Sequence, residues 1–84
     1  MMKFVELSEQ ERKAVKEALE LIGYYDVSEN ENSIQEWLDD DTISICTCRS
    51  GRDAVCIITE SHESVIYIDT LEPLSQEEIT KELL

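Results

Sequence analysis

Thr42-Ile43-Ser44-Ile45-Cys46-Thr47-Cys48, Asp53-Ala54-Val55-Cys56-Ile57-Ile58-Thr59 and Ser64-Val65-Ile66-Tyr67-Ile68-Asp69 are three runs rich in β-branched and aromatic residues, the composition that suits a pleated surface. Ser50-Gly51 separates the first two, and Glu60-Ser61-His62-Glu63 the last two. The spacing predicts a three-stranded antiparallel meander, and the rest of the chain must be built around it.

Register decides which side chains share a face. If Ser50-Gly51 form a two-residue turn, Ile45 faces Cys56 and Ile43 faces Ile58. One face then carries Ile43, Ile45, Thr47, Ala54, Cys56 and Ile58. A three-residue second loop, Ser61-His62-Glu63, adds Ile66 and Ile68 to that face, whereas a two-residue loop adds Val65 and Tyr67. The odd loop is preferred because it gives a consistently aliphatic surface. The other face, with Ser44, Cys46, Cys48, Asp53, Val55, Ile57, Val65 and Tyr67, is too apolar at its centre to stay wet. It needs cover from the last helix or from a second copy of the chain.

Three capping boxes mark helices around the sheet. Ser8-Glu9-Gln10-Glu11 opens a long N-terminal helix whose apolar stripe is Val15, Ala18, Leu19 and Ile22, stopped by Gly23. On its outer side Glu9–Lys13, Lys13–Glu17 and Lys16–Glu20 stand four residues apart, the spacing for ion pairs. Ser28 to Asn32 reads as a polar loop, and Ser33-Ile34-Gln35-Glu36 as the cap of a short helix through Trp37 and Leu38. Asp39, Asp40 and Asp41 then fall at a helix C-terminus, where the macrodipole disfavours anions. Ser75-Gln76-Glu77-Glu78 caps a C-terminal helix, with Leu74 and Ile79 as a hydrophobic staple. The expected architecture is a single α+β domain over residues 1–84: N-terminal helix, short helix, three-stranded antiparallel meander, C-terminal helix.

At 84 residues such a chain buries only roughly 60–65% of its unfolded surface, which leaves no room for a deep enclosed active site. No run approaches the ~20 apolar residues of a membrane span, and no secretory leader opens the sequence. Three cysteines, an odd number and all in expected strands, fit a reducing compartment, so a cytoplasmic location is expected.

Charge is the most informative global property. Twenty acidic residues stand against 7 basic ones, a net charge of -13. A field of that sign repels nucleic acid and anionic lipid and attracts basic partners. From Asp26 to Asp41, and again from Asp53 to Thr80, there is no Lys or Arg.

Motifs for chemistry are weak. Cys46, Cys48, Cys56 and His62 match zinc in ligand type, but the register above puts Cys56 on the face opposite Cys46 and Cys48, and ligands about 2.0–2.3 Å from one ion cannot come from both sides of a sheet. The histidine is too distant to activate a thiol, so an enzyme is not expected. Asp39-Asp40-Asp41 lacks the alternating ligands and mid-loop glycine of an EF-hand, and no glycine-rich phosphate loop is present. No metal and no cofactor are anticipated. Trp37 reads first as a core plug and second as an interface anchor framed by acids.

These properties lead to the expectation of a small non-enzymatic protein that occupies the basic groove of a nucleic-acid-binding protein, carboxylates standing in for phosphates. In size and charge the chain resembles phage anti-defence proteins such as anti-CRISPR inhibitors, and nuclease-neutralising immunity proteins; the resemblance is one of class and carries over no residues. The expected partner-binding residues are Glu29, Glu31, Glu36, Trp37, Asp39, Asp40 and Asp41, with Glu60, Glu63 and Glu72 as a second patch. The alternatives are a homodimeric adaptor joined through the mixed sheet face and a redox or metal role for the cysteines.

Overall fold

In the computed structural model, which describes residues 2–84, β1 (Ile43–Thr47), β2 (Asp53–Ile58) and β3 (Glu63–Tyr67) form one antiparallel sheet in the order β1-β2-β3. Helices α1 (Glu9–Leu21), α2 (Tyr25–Ser28) and α3 (Glu31–Asp39) precede it, and α4 (Gln76–Leu83) follows. This is the expected α+β order with two additions: a 3-10 turn at Phe4–Glu6, and the single turn α2.

Local chemistry explains the helix ends. The Ser8 hydroxyl accepts from the Glu11 amide at 3.1 Å while the Ser8 amide donates to the Glu11 carboxylate at 2.8 Å. At the other end Gly23, at φ 84, lets its own amide donate to Glu20 and that of Tyr24 to Leu19, satisfying two orphan carbonyls. Ser75 and Glu78 close the same reciprocal cap on α4. The middle helix departs from expectation. Its cap is Asn30 rather than Ser33, the Asn30 Oδ1 accepting from the amides of Asn32 and Ser33. Asn caps as well as Ser, and the earlier start adds a bonded turn.

The anticipated ion pairs along α1 do not close. Among the described residues the one ion pair is Arg52–Asp69, at 2.8 Å. Lys16 instead lies over the Phe4 ring, Arg12 donates to the Leu7 carbonyl, and Glu20 accepts from Ser28 Oγ. Exposed pairs worth a few tenths of a kcal/mol do not hold two long side chains against such competitors.

Both hairpin loops differ from the expected lengths. In the first, Thr47 pairs with Asp53, the Cys48 amide donates to the Arg52 carbonyl, and the loop is the three residues Arg49-Ser50-Gly51. Gly51, at φ 92, supplies the left-handed residue that such a loop requires. In the second, Ile58 pairs with Glu63 and the Thr59 amide donates to the His62 carbonyl, which leaves a two-residue loop, Glu60-Ser61.

Each slip flips the strands after it, so the two cancel at β3 and leave only β2 turned over relative to the expectation. The core face therefore joins Ile43 and Ile66 to Val55 and Ile57, all at most 1% exposed, in place of Ala54, Cys56 and Ile58. These bulkier side chains fill the layer beneath Ala14, Val15, Ala18 and Leu19 of α1 and Ile34 and Leu38 of α3. The second face holds Cys46, Cys48, Ala54, Cys56, Val65 and Tyr67, and α4 covers it through Ile79 and Leu83, with Leu74 alongside. Glu82 fastens that helix: its carboxylate accepts from the Ser50 amide and hydroxyl and from the Tyr67 hydroxyl. No helix among the described residues is long and apolar enough to cross a membrane.

Candidate functional site

Six of the expected binding residues run along one shoulder of the molecule. Glu29 follows α2, Glu31 and Glu36 belong to α3, and Asp39, Asp40 and Asp41 end that helix; all six are exposed. The core-facing side of α3 is Ile34 and Leu38, which turns Glu36, Asp39 and Asp40 outward. The three aspartates are better accommodated than the macrodipole alone predicts. Asp39 accepts from Gln35 Nε2 at 2.9 Å, and Asp40 from the Thr42 amide at 3.0 Å. Hydrogen bonds from Thr42 hold the Asp40 carboxyl below its ordinary pKa. Asp41 takes the left-handed conformation, φ 65, that ends the helix.

The tip of the second hairpin lies beside this shoulder. The Ile58 amide donates to the Thr42 carbonyl, so the chain leaving α3 runs against the end of β2. Between them opens a cleft of about 380 Å³ lined by Tyr24, Trp37, Thr42, Thr59, Glu60 and Ser61. Tyr24 and Trp37 meet edge to face with ring centroids 5.1 Å apart, and His62 sets its ring edge-on to Tyr24 at 5.8 Å. Trp37 is half-buried, packed against the core on one side and lining the cleft on the other. The whole stretch from Glu17 to Cys48 contains no Lys or Arg, and neither does that from Asp53 to Thr80, so every cleft residue comes from a chain segment without a cation.

The second expected patch does not assemble. Glu60 joins the shoulder through the cleft. Glu63, at the base of the same hairpin, takes the parity of Val65 and Tyr67 and so points to the α4 side of the sheet. Glu72 is at the far end, where its carbonyl accepts from the Tyr67 amide. That end also holds Arg49, Arg52 and Lys81. Arg52 forks onto Asp69 through Nε and Nη2 while its guanidinium stacks 3.5 Å from the centroid of the Tyr67 ring. Arg49 donates to the Leu84 carbonyl, and Lys81 borders a groove with Ser50, Tyr67, Glu78 and Glu82. The ion pair holds Asp69 below its ordinary pKa, and the bonds from Ser50 and Tyr67 do the same for Glu82. Lys3 is the basic residue that the Phe4–Gln35 bond keeps near α3.

The thiols require a correction. With the observed register, Cys46, Cys48 and Cys56 all face α4, and the Sγ atoms of Cys46 and Cys56 approach to 2.6 Å. The opposed-faces argument against zinc therefore does not hold. Among the described residues, however, no group of three or more His, Cys, Asp or Glu is arranged to hold a metal, and His62 packs on Tyr24, away from the thiols. Burial pushes the Cys56 thiol well up, helped by its bond to Cys46, and burial likewise raises Cys48. Thiols held protonated are poor nucleophiles.

Tyr24, Thr42, Thr59 and Ser61 belong to the cleft but were not legible as site residues. Tyr24 had one signal, its place immediately after the helix-stopping Gly23. Comparison with models of protein families, with curated proteins and with solved structures finds no match for this chain.

Proposed function

We propose that this protein is a non-enzymatic acidic binding protein that occupies the basic surface of a nucleic-acid-binding partner, its carboxylates taking the place of phosphates. The observation that carries the reading is the acidic shoulder from Glu29 to Asp41 with Glu60 beside it, built from segments without Lys or Arg and joined by no ion pair among the described residues. Carboxylates without an ion pair on the shoulder of a molecule of net charge -13 present a negative potential there, and a potential of that sign favours association with a cationic groove. The mode of action is that of phage anti-defence inhibitors, the anti-CRISPR type among them, or of nuclease-neutralising immunity proteins, acting in the cytoplasm.

Capture from cell lysate at low and at high salt, with the bound proteins identified, tests this. The expected result is a small set of nucleic-acid-binding proteins retained at low salt, lost at high salt and displaced by short duplex DNA. Retention indifferent to salt and to DNA would reject the mechanism.

A further inference from the structure

Two aromatic rings of this protein already carry a cation from the chain itself. The Arg52 guanidinium lies 3.5 Å from the Tyr67 ring centroid while Asp69 takes its fork, and the Lys16 ammonium stands 5.9 Å from the Phe4 ring centroid. The Tyr24–Trp37 pair with Glu60 brings together the same components, π-faces beside a carboxylate, in a cleft open to solvent. No Lys or Arg of the described residues lies over either ring, and the His62 ring meets Tyr24 from one side at 5.8 Å.

From this we infer that the cleft between α3 and the β2–β3 tip is the seat of a single arginine side chain presented by the basic partner. The inference rests on the acidic-binder reading above and names the anchor within it. Arginine fits better than lysine for two reasons. Its flat, weakly hydrated guanidinium stacks on a ring face while its edge donates in parallel to a carboxylate, which a compact ammonium cannot do. Arg52 against Tyr67 and Asp69 shows that arrangement formed within this molecule. The rim hydroxyls of Thr42, Thr59 and Ser61 keep a lone pair each for the remaining N–H groups, even though Thr59 Oγ1 also accepts from the His62 amide and Ser61 Oγ is bonded to His62 Nδ1. An aromatic cleft filled by arginine and rimmed by acids is also the composition in which interface hot spots concentrate.

Trp37 is the one tryptophan of the chain, so its fluorescence reports on this cleft alone. The test titrates the full chain with hexa-arginine and hexa-lysine peptides, reading Trp37 emission and, separately, the anisotropy of a labelled peptide. The expected result is a Trp37 change on adding hexa-arginine and about two- to fivefold tighter binding of it than of hexa-lysine. Glu60→Gln should weaken hexa-arginine more than Glu72→Gln, which removes the same charge at the far end. Both residues are exposed, so neither variant threatens folding. Peptide binding with Trp37 unmoved, or with the two glutamate variants equal, would overturn the cleft and leave the acidic-binder reading standing. Equal binding of the two peptides would overturn the assignment to arginine. Binding of neither peptide at low salt would remove the underlying reading itself.

Discussion

Ile57→Ala and Ile58→Ala, neighbours on the central strand, separate the observed sheet from the one that a two-residue first turn would make. Ile57 is 0% exposed, between Ile43 and Ser64 and under the helical layer, whereas Ile58 is 61% exposed. Truncating a buried Ile to Ala costs about 2–5 kcal/mol, the lost transfer energy plus the cavity left behind. An 84-residue domain has a total stability of about 4–12 kcal/mol, so this is a large fraction of it. At about 4–8 °C per kcal/mol the midpoint should fall by roughly 8–40 °C. The same change at Ile58 should cost under about 1 kcal/mol, mostly lost strand propensity. Urea and thermal unfolding followed by circular dichroism read both. If Ile57→Ala does not fold, Ile57→Val at about 0.5–1.5 kcal/mol keeps the comparison. A larger loss at Ile58 than at Ile57 would refute the register and, with it, the placement of Cys56 beside Cys46 beneath α4.

Other expectations follow from the same geometry. Asp41→Gly should stabilise by about 1 kcal/mol, since it relieves a left-handed Asp and removes an anion from a helix C-terminus; a lower unfolding midpoint would contradict this. Raising NaCl from about 20 to about 500 mM shortens the Debye length from roughly 20 to roughly 4 Å, so it should raise the thermal midpoint by screening self-repulsion while it weakens partner binding. With that repulsion screened, acid should destabilise. Asp40, Asp69 and Glu82 have folded pKa values below their ordinary 3.8, 3.8 and 4.5, so the unfolded chain binds more protons there, and the stabilisation present above those values is lost as pH falls through the folded ones. A midpoint unchanged down to pH of about 2 would contradict it. Iodoacetamide at neutral pH should modify Cys48 and Cys56 far more slowly in the native protein than after unfolding, counted by mass spectrometry; equal rates would mean α4 does not cover that face.

The fold was legible at the ends of α1 and α4, where a local signal decided it, whereas the Ser33 cap lost to Asn30 three residues earlier. Ser8 with Glu11, Ser75 with Glu78 and Gly23 each act within a few residues, and each does in the structure what its spacing predicted. Register was not so legible, because Ser50-Gly51 suits either a two-residue turn or the end of a three-residue loop; what separates them is whether Val55 and Ile57 or Ala54 and Cys56 fill the space under α1. Only tertiary packing answers that. The acidic shoulder was visible as a run of charge, since α3 keeps Glu31 to Asp41 together. Glu72 was misplaced with Glu60 and Glu63 because the number of strand residues between them, not their sequence proximity, sets which end of the sheet they reach. The cleft depended on contacts between Tyr24, Trp37 and the Glu60-Ser61 turn, residues too far apart in sequence for any spacing rule to join.

The most direct test of the account compares two variants of equal net charge against a partner captured from lysate. One carries Asp39, Asp40 and Asp41 as Asn, which keeps the Thr42 and Gln35 bonds available; the other carries Glu9, Glu17 and Glu77, all exposed and outside the shoulder, as Gln. If the position of the charge matters, the aspartate variant should bind about tenfold more weakly with a shallower salt dependence, and the glutamate variant should stay close to the parent. Equal weakening of the two would show that bulk charge alone drives association, and the acidic shoulder would lose its assigned role.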